Sequence, residues 1–81
     1  MSSYTTWHDV YQKALNDTLY AYEDKSPDKE EFLETFKTFY DELMAENIIT
    51  SYPLDPASSR REAINRATVV FVDDVAPRQS E

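Results

Sequence analysis

The 81-residue chain contains no glycine and no cysteine. Average glycine usage of about 7% would place several in a chain this long. Sharp turns at positive φ must therefore fall to Asn or Asp, or be avoided. Glycine-rich phosphate cradles of the nucleotide-binding kind are excluded, because a Cβ blocks the backbone approach they need. Without cysteine there is no disulfide frame, no thiolate nucleophile and no thiolate zinc site, which fits a reducing compartment. Long apolar runs are also missing. The longest strictly apolar stretch is residues 69–72, far short of the ~20 residues a spanning helix needs. The opening MSSYTTWHD lacks the basic and apolar regions of a signal peptide. A soluble, cytoplasmic protein is expected.

Positive charge is scarce as well. Sixteen acids stand against eight bases, a formal net charge of −8. Direct binding to nucleic acid and to an anionic membrane is therefore not expected, and cationic surfaces are the natural partners. The imbalance is uneven: residues 1–59 hold twelve acids and four lysines, and residues 60–81 hold four acids and four arginines.

The strongest pattern in the chain spans residues 26–47. Phe32, Leu33, Phe36, Phe39, Tyr40, Leu43 and Met44 recur at helical spacing and fill an arc of roughly 140°. Ser26 suits an N-cap, Pro27 the first helical position, and Asp28, Glu30 and Glu31 the positive end of the helix dipole. A preceding helix is expected from about Trp7 to Asp24, with Trp7, Val10, Tyr11, Ala14, Leu15, Leu19 and Tyr22 inward and Thr6 with Asp9 at its start. The break at residues 24–27 is short, so the two helices should form an antiparallel hairpin with their aromatic stripes face to face.

Beyond Asn47, a candidate left-handed cap, the pattern changes. Residues 48–52, IITSY, are β-branched and aromatic and are stopped by Pro53, as in a short strand. Residues 57–66 predict a weaker third helix after Asp55-Pro56, with Ala57, Ala63, Ile64 and Ala67 as its core face. Residues 68–73, TVVFVD, carry the clearest strand signal and would pair with residues 48–52, or failing that with another chain. The expected fold is a mainly helical α+β domain: hairpin, short strand, weak third helix, second strand. It should form one unit over residues 1–75, with residues 76–81 as a loose tail.

Few residues suggest chemistry. His8 is the sole histidine and lies at the edge of an apolar arc with no Glu or His three or four residues on, so it is assigned no ligand role. Residues 24–28 open like a calcium loop, but the required glycine and bidentate glutamate positions hold Lys29 and Thr35. Helix capping explains those residues better. Carboxylate pairs such as Glu30/Glu34 and Asp73/Asp74 lack the water-poor cleft that splits catalytic pKa values. No enzyme, metal or cofactor is expected. Arg60, Arg61 and Arg66 are expected to pair with the acidic outer face of the second helix or with a partner chain rather than with phosphate.

The acidic face remains. Glu31, Glu34, Asp41 and Glu42 line the outside of the second helix, and Tyr20 lies amid Asp17 and Asp24 on the polar side of the first. An exposed tyrosine ringed by carboxylates suits an arginine-rich partner, the ring giving area and the acids steering. Duplex DNA mimicry fits less well. Seven acids less two lysines along about 27 Å of helix give roughly one net charge per 5 Å, against one per ~1.7 Å for the duplex.

The expected function is a small non-catalytic interaction protein that docks on a basic, plausibly nucleic-acid-binding, protein surface as inhibitor or adaptor, a general type that phages and other mobile elements encode. The alternative is a structural or assembly subunit that forms a homodimer or part of a larger complex. Reversing charge at Glu31, Glu34, Asp41 and Glu42 is expected to remove partner binding while helicity is kept, as read by pulldown at moderate salt.

Overall fold

A computed structural model describes residues 6–46 and 56–79. Three helices carry the fold: α1 (Trp7–Ala21), α2 (Lys29–Glu46) and α3 (Pro56–Val70). A π-helical turn (Phe71–Val75) and a short α4 (Ala76–Gln79) prolong α3 without a break.

The starts of α1 and α2 are fixed by side chains. The Thr6 hydroxyl accepts from the Asp9 backbone N–H at 3.3 Å, satisfying one of the unpaired donors of the first turn. At α2 the Asp28 carboxylate accepts from the Glu31 N–H at 2.8 Å. The cap is thus Asp28 rather than Ser26. A carboxylate is the stronger cap beside the helix dipole, and Pro27 is buried just outside the helix. α1 stops at Ala21, three residues earlier than expected, where Tyr22 departs from helical geometry at φ −110°, ψ 24°.

α1 and α2 pack most extensively on each other and run antiparallel. The Tyr11 ring meets Phe36 edge-on at 6.0 Å, Phe36 stacks on Tyr40 at 5.9 Å, and Tyr22 lies 6.2 Å from Phe32. The Tyr22 and Thr35 hydroxyls share a 2.7 Å hydrogen bond across the hairpin. α3 returns alongside α1. Its Ala63 and Ala67 are fully buried in one cluster with Trp7, Val10, Tyr11, Ala14, Phe36 and Tyr40. A second cluster joins Phe32 to Phe71 and Val75, with Leu15, Leu19 and Tyr22 at its margin.

The α+β expectation is overturned: the described residues hold no strand. The segment 68–73, read as a strand, is the end of α3 and the start of the π-helical turn. The third helix accordingly extends well beyond residue 66. Ser59, Ala63, Ala67, Phe71 and Val75 are buried at a constant spacing of four, a helical repeat that crosses the supposed boundary. Val69 and Val72, three residues apart, face solvent instead of alternating with buried neighbours. A strand there would need a partner for its backbone groups, whereas a helix already running gains one hydrogen bond per added residue. The β-branched residues cost only a few tenths of a kcal/mol each, and Thr68 Oγ1 donates to the Ile64 carbonyl at 2.8 Å. Ala57, expected in the core, is exposed. The expected strand at residues 48–52 lies outside the described residues.

Pro77 offers a reason for the π-helical turn. A proline inside an α-helix has no N–H and clashes with the carbonyl four residues earlier. Just before it the Ala76 N–H reaches back five residues to the Phe71 carbonyl, widening the turn. The wider turn also offsets the 40° drift that a spacing of four accumulates per step in an α-helix, about 100° per residue. Val75 therefore returns to the buried side.

Two outcomes test this arrangement. Val69→Ala should raise stability by about 0.5 kcal/mol in chemical denaturation, because alanine is the better helix former at an exposed site; a strand would lose stability instead. The second concerns Tyr11, whose phenol pKa is raised above 10.0 by burial, opposed by the nearby Arg66 charge. A folded-state pKa above the unfolded one gives a contribution fully present below about pH 10 that fades as pH rises through the folded value. Tyr11→Phe should therefore flatten the alkaline fall of the urea midpoint.

Candidate interaction surface

The acidic residues singled out from the sequence do not form one uniform face. The structure sorts them by what neutralises them. Asp41, on the last half of α2, is taken up by α3: Arg60 Nε and Nη2 donate to its two carboxylate oxygens at 2.9 and 3.0 Å. This fork geometry is the strongest form of the pair, and the hydrogen bond to Asp41 raises the guanidinium pKa further above its ordinary value. Both side chains stay about half exposed, so the pair is worth no more than about 1 kcal/mol. Its electrostatic effect is larger than its energy. Arg60 cancels Asp41 and places positive charge in the field of Glu34.

Two more carboxylates have local partners. Lys13 donates to Asp17 at 2.9 Å, and Lys37 lies 3.4 Å from Glu34. Asp24, Glu31 and Glu42 are exposed and make no ion pair with a described residue. Tyr20 is 79% exposed, the most exposed of the large hydrophobic residues described.

The arginines behave as pairing groups. Besides Arg60, Arg66 is held by Glu62 one turn away at 3.0 Å and places its guanidinium 5.4 Å from the Trp7 ring centroid, a cation–π contact. Arg61 is exposed. His8 is half-buried between the rings of Trp7 and Tyr11, each 5.6 Å away. Among the described residues no group of His, Asp or Glu side chains is arranged to hold a metal ion, no helix is long and apolar enough to cross a membrane, and no enclosed pocket is found.

Net negative charge gathers at one end of the bundle. The turn between α1 and α2, with the first turn of α2, carries Glu23, Asp24, Asp28, Glu30 and Glu31 against Lys25 and Lys29, all exposed. Phe71 and Val75 share a cluster with Phe32 near the start of α2, and Leu19 and Tyr22 near the end of α1 pack against that cluster. The exposed Asp73 and Asp74 between them therefore join the same end. None of these seven carboxylates makes an ion pair with a residue whose side chain is described; Arg78, four residues after Asp74, is not among those. The sequence reading missed this gathering because Asp73 and Asp74 were assigned to a strand and its edge. Their spacing inside the every-fourth-residue repeat is the signal that places them.

Compared with known proteins, the chain matches no family model, no curated protein and no solved structure.

Proposed function

We propose that this is a cytoplasmic, non-catalytic interaction protein that docks the hairpin end of its bundle on a basic protein surface as inhibitor or adaptor. The observation that carries the reading is the concentration of unpaired carboxylates at that end, with the exposed ring of Tyr20 in the last turn of α1. Opposed charges speed encounter and fix orientation, while an aromatic ring supplies buried area at low entropic cost. The docking set is accordingly Tyr20, Asp24, Glu30 and Glu31, with Asp73 and Asp74 beside them. Asp17, Glu34 and Asp41 contribute less because each already has a cation. Reversing Asp41 would also break the tie between α2 and α3, so loss of binding in that variant would not isolate docking.

A second reading, assembly with another copy, keeps one specific support: Val69 and Val72 are 57% and 55% exposed on adjacent turns. The aromatic stripe offers it nothing, since those rings are spent on the core. Light scattering separates the two, a concentration-independent monomer removing assembly.

Affinity capture from the source cell, followed by mass spectrometry, is the direct measurement. The wild-type chain is expected to retain a basic protein at low salt and lose it at high salt. Neutralising Asp24, Glu30 and Glu31 together as Asp24→Asn, Glu30→Gln and Glu31→Gln should abolish retention, whereas Glu42→Gln at the far end should not. Equal retention by the triple variant would remove the reading.

A further inference from the structure

The helix that begins with α3 does not end at Val70. Residues 71–79 carry on past the main cluster, and their buried side chains are Phe71 and Val75. Several features weaken the segment, although Arg78 places one positive charge in its last turn. Its hydrogen bonding passes through a π-helical turn, a rare form. Pro77 removes one backbone donor. Asp73 and Asp74 place two exposed carboxylates side by side in the π-helical turn. Closing the segment also brings both acids to the end that already holds Glu23, Asp24, Asp28, Glu30 and Glu31.

We infer that residues 71–79 are a detachable strap, fastened over Phe32 by Phe71 and Val75 and loosened by the carboxylates it carries. Its opening is a local event. α1 and α2 keep their own interface through Tyr11, Phe36 and Tyr40, and α3 keeps Ala63 and Ala67 in that cluster. Opening uncovers Phe32, the member of this cluster that stays on α2, beside the partly buried Leu15, Leu19 and Tyr22 packed against the cluster. Linkage gives a consequence. Whatever neutralises the acidic end fastens the strap, and a fastened strap presents two more carboxylates to a cation, by the same factor. That consequence rests on the docking reading above; the strap itself does not.

Amide hydrogen exchange on the full chain, followed residue by residue by NMR, tests it. At low salt the strap amides should exchange on the order of tenfold or more faster than those of Phe36 and Tyr40, as a separate opening unit does. Raising sodium chloride should slow strap exchange relative to α2 by roughly threefold to tenfold, since it screens the repulsion. The variant Asp73→Asn/Asp74→Asn, altered only at exposed positions, should already be slow at low salt and should lose the salt response. One common rate for strap and α2 at every salt concentration, in both proteins, overturns the inference. An oligolysine peptide added at low salt separates the two proposals. Slowed strap exchange beyond the effect of matched ionic strength supports the linkage; a salt response without an oligolysine response keeps the strap and counts against docking.

Discussion

Small side chains on α3 set against large rings on α1 and α2 are the fit on which this molecule depends. Ser59, Ala63 and Ala67 are all fully buried, and the side chains that share the main cluster with the two alanines include Trp7, Tyr11, Phe36 and Tyr40. Helix axes approach as closely as the side chains between them permit, so alanines let α3 come down onto aromatic surface that a leucine stripe would hold off. In a chain of this size, which buries only about 60% of its unfolded surface, such economy matters. The rings of α1 and α2 supply the large buried side chains of the main cluster, and the third helix closes over them with the methyl groups of Ala63 and Ala67. Adding even one methylene to that stripe meets a packed interior, where overpacking costs about 1–3 kcal/mol.

The lack of glycine constrains how the helices are joined. Among the described residues no backbone takes a positive φ, so α1 is not closed by the common left-handed cap. Tyr22 does this work at ordinary dihedrals: its N–H returns to the Thr18 carbonyl at 3.2 Å while its hydroxyl reaches Thr35 on α2. One residue thus ends a helix, satisfies one of its last carbonyls and pins the hairpin. At the other side of the turn Asp28 caps α2. Turn chemistry usually carried by glycine is here carried by a tyrosine and an aspartate.

Much of the hairpin was legible because its stripes are dense: seven large apolar residues at one helical phase leave little ambiguity, and α2 lies within the span they predict. α3 was legible only in part. Its buried face is made of Ser and Ala, which composition alone cannot distinguish from a solvated surface, while its exposed face includes two valines that resemble a strand. Local β-propensity and helical register conflicted at residues 68–73, and register prevailed because the packed helix preceding them extends without a new partner, whereas a strand requires one. The acidic surface was misjudged for a related reason. Helical wheels place charges on faces of single helices, but Arg60 meets Asp41 only once α3 is correctly placed beside α2. The suggestion that the arginines pair with the outer acids of α2 was sound for Arg60, and it removes one residue from the very surface proposed for docking.

Net charge is a poor description of a molecule built this way. An α-helix the length of α2 spans about 27 Å, and the field of an exposed charge fades over about 8 Å at physiological ionic strength. The two ends of the bundle are therefore electrostatically independent. At one end, Arg60 offsets Asp41 and Arg66 offsets Glu62, which leaves Glu42 and Glu46 as exposed acids there beside the exposed Arg61. At the other, seven carboxylates stand against Lys25, Lys29 and Arg78 in the sequence, and none makes an ion pair with a residue whose side chain is described. Two of the seven arrive only because α3 continues into the π-helical turn, so the same register that buries Phe71 and Val75 also decides how acidic that end becomes.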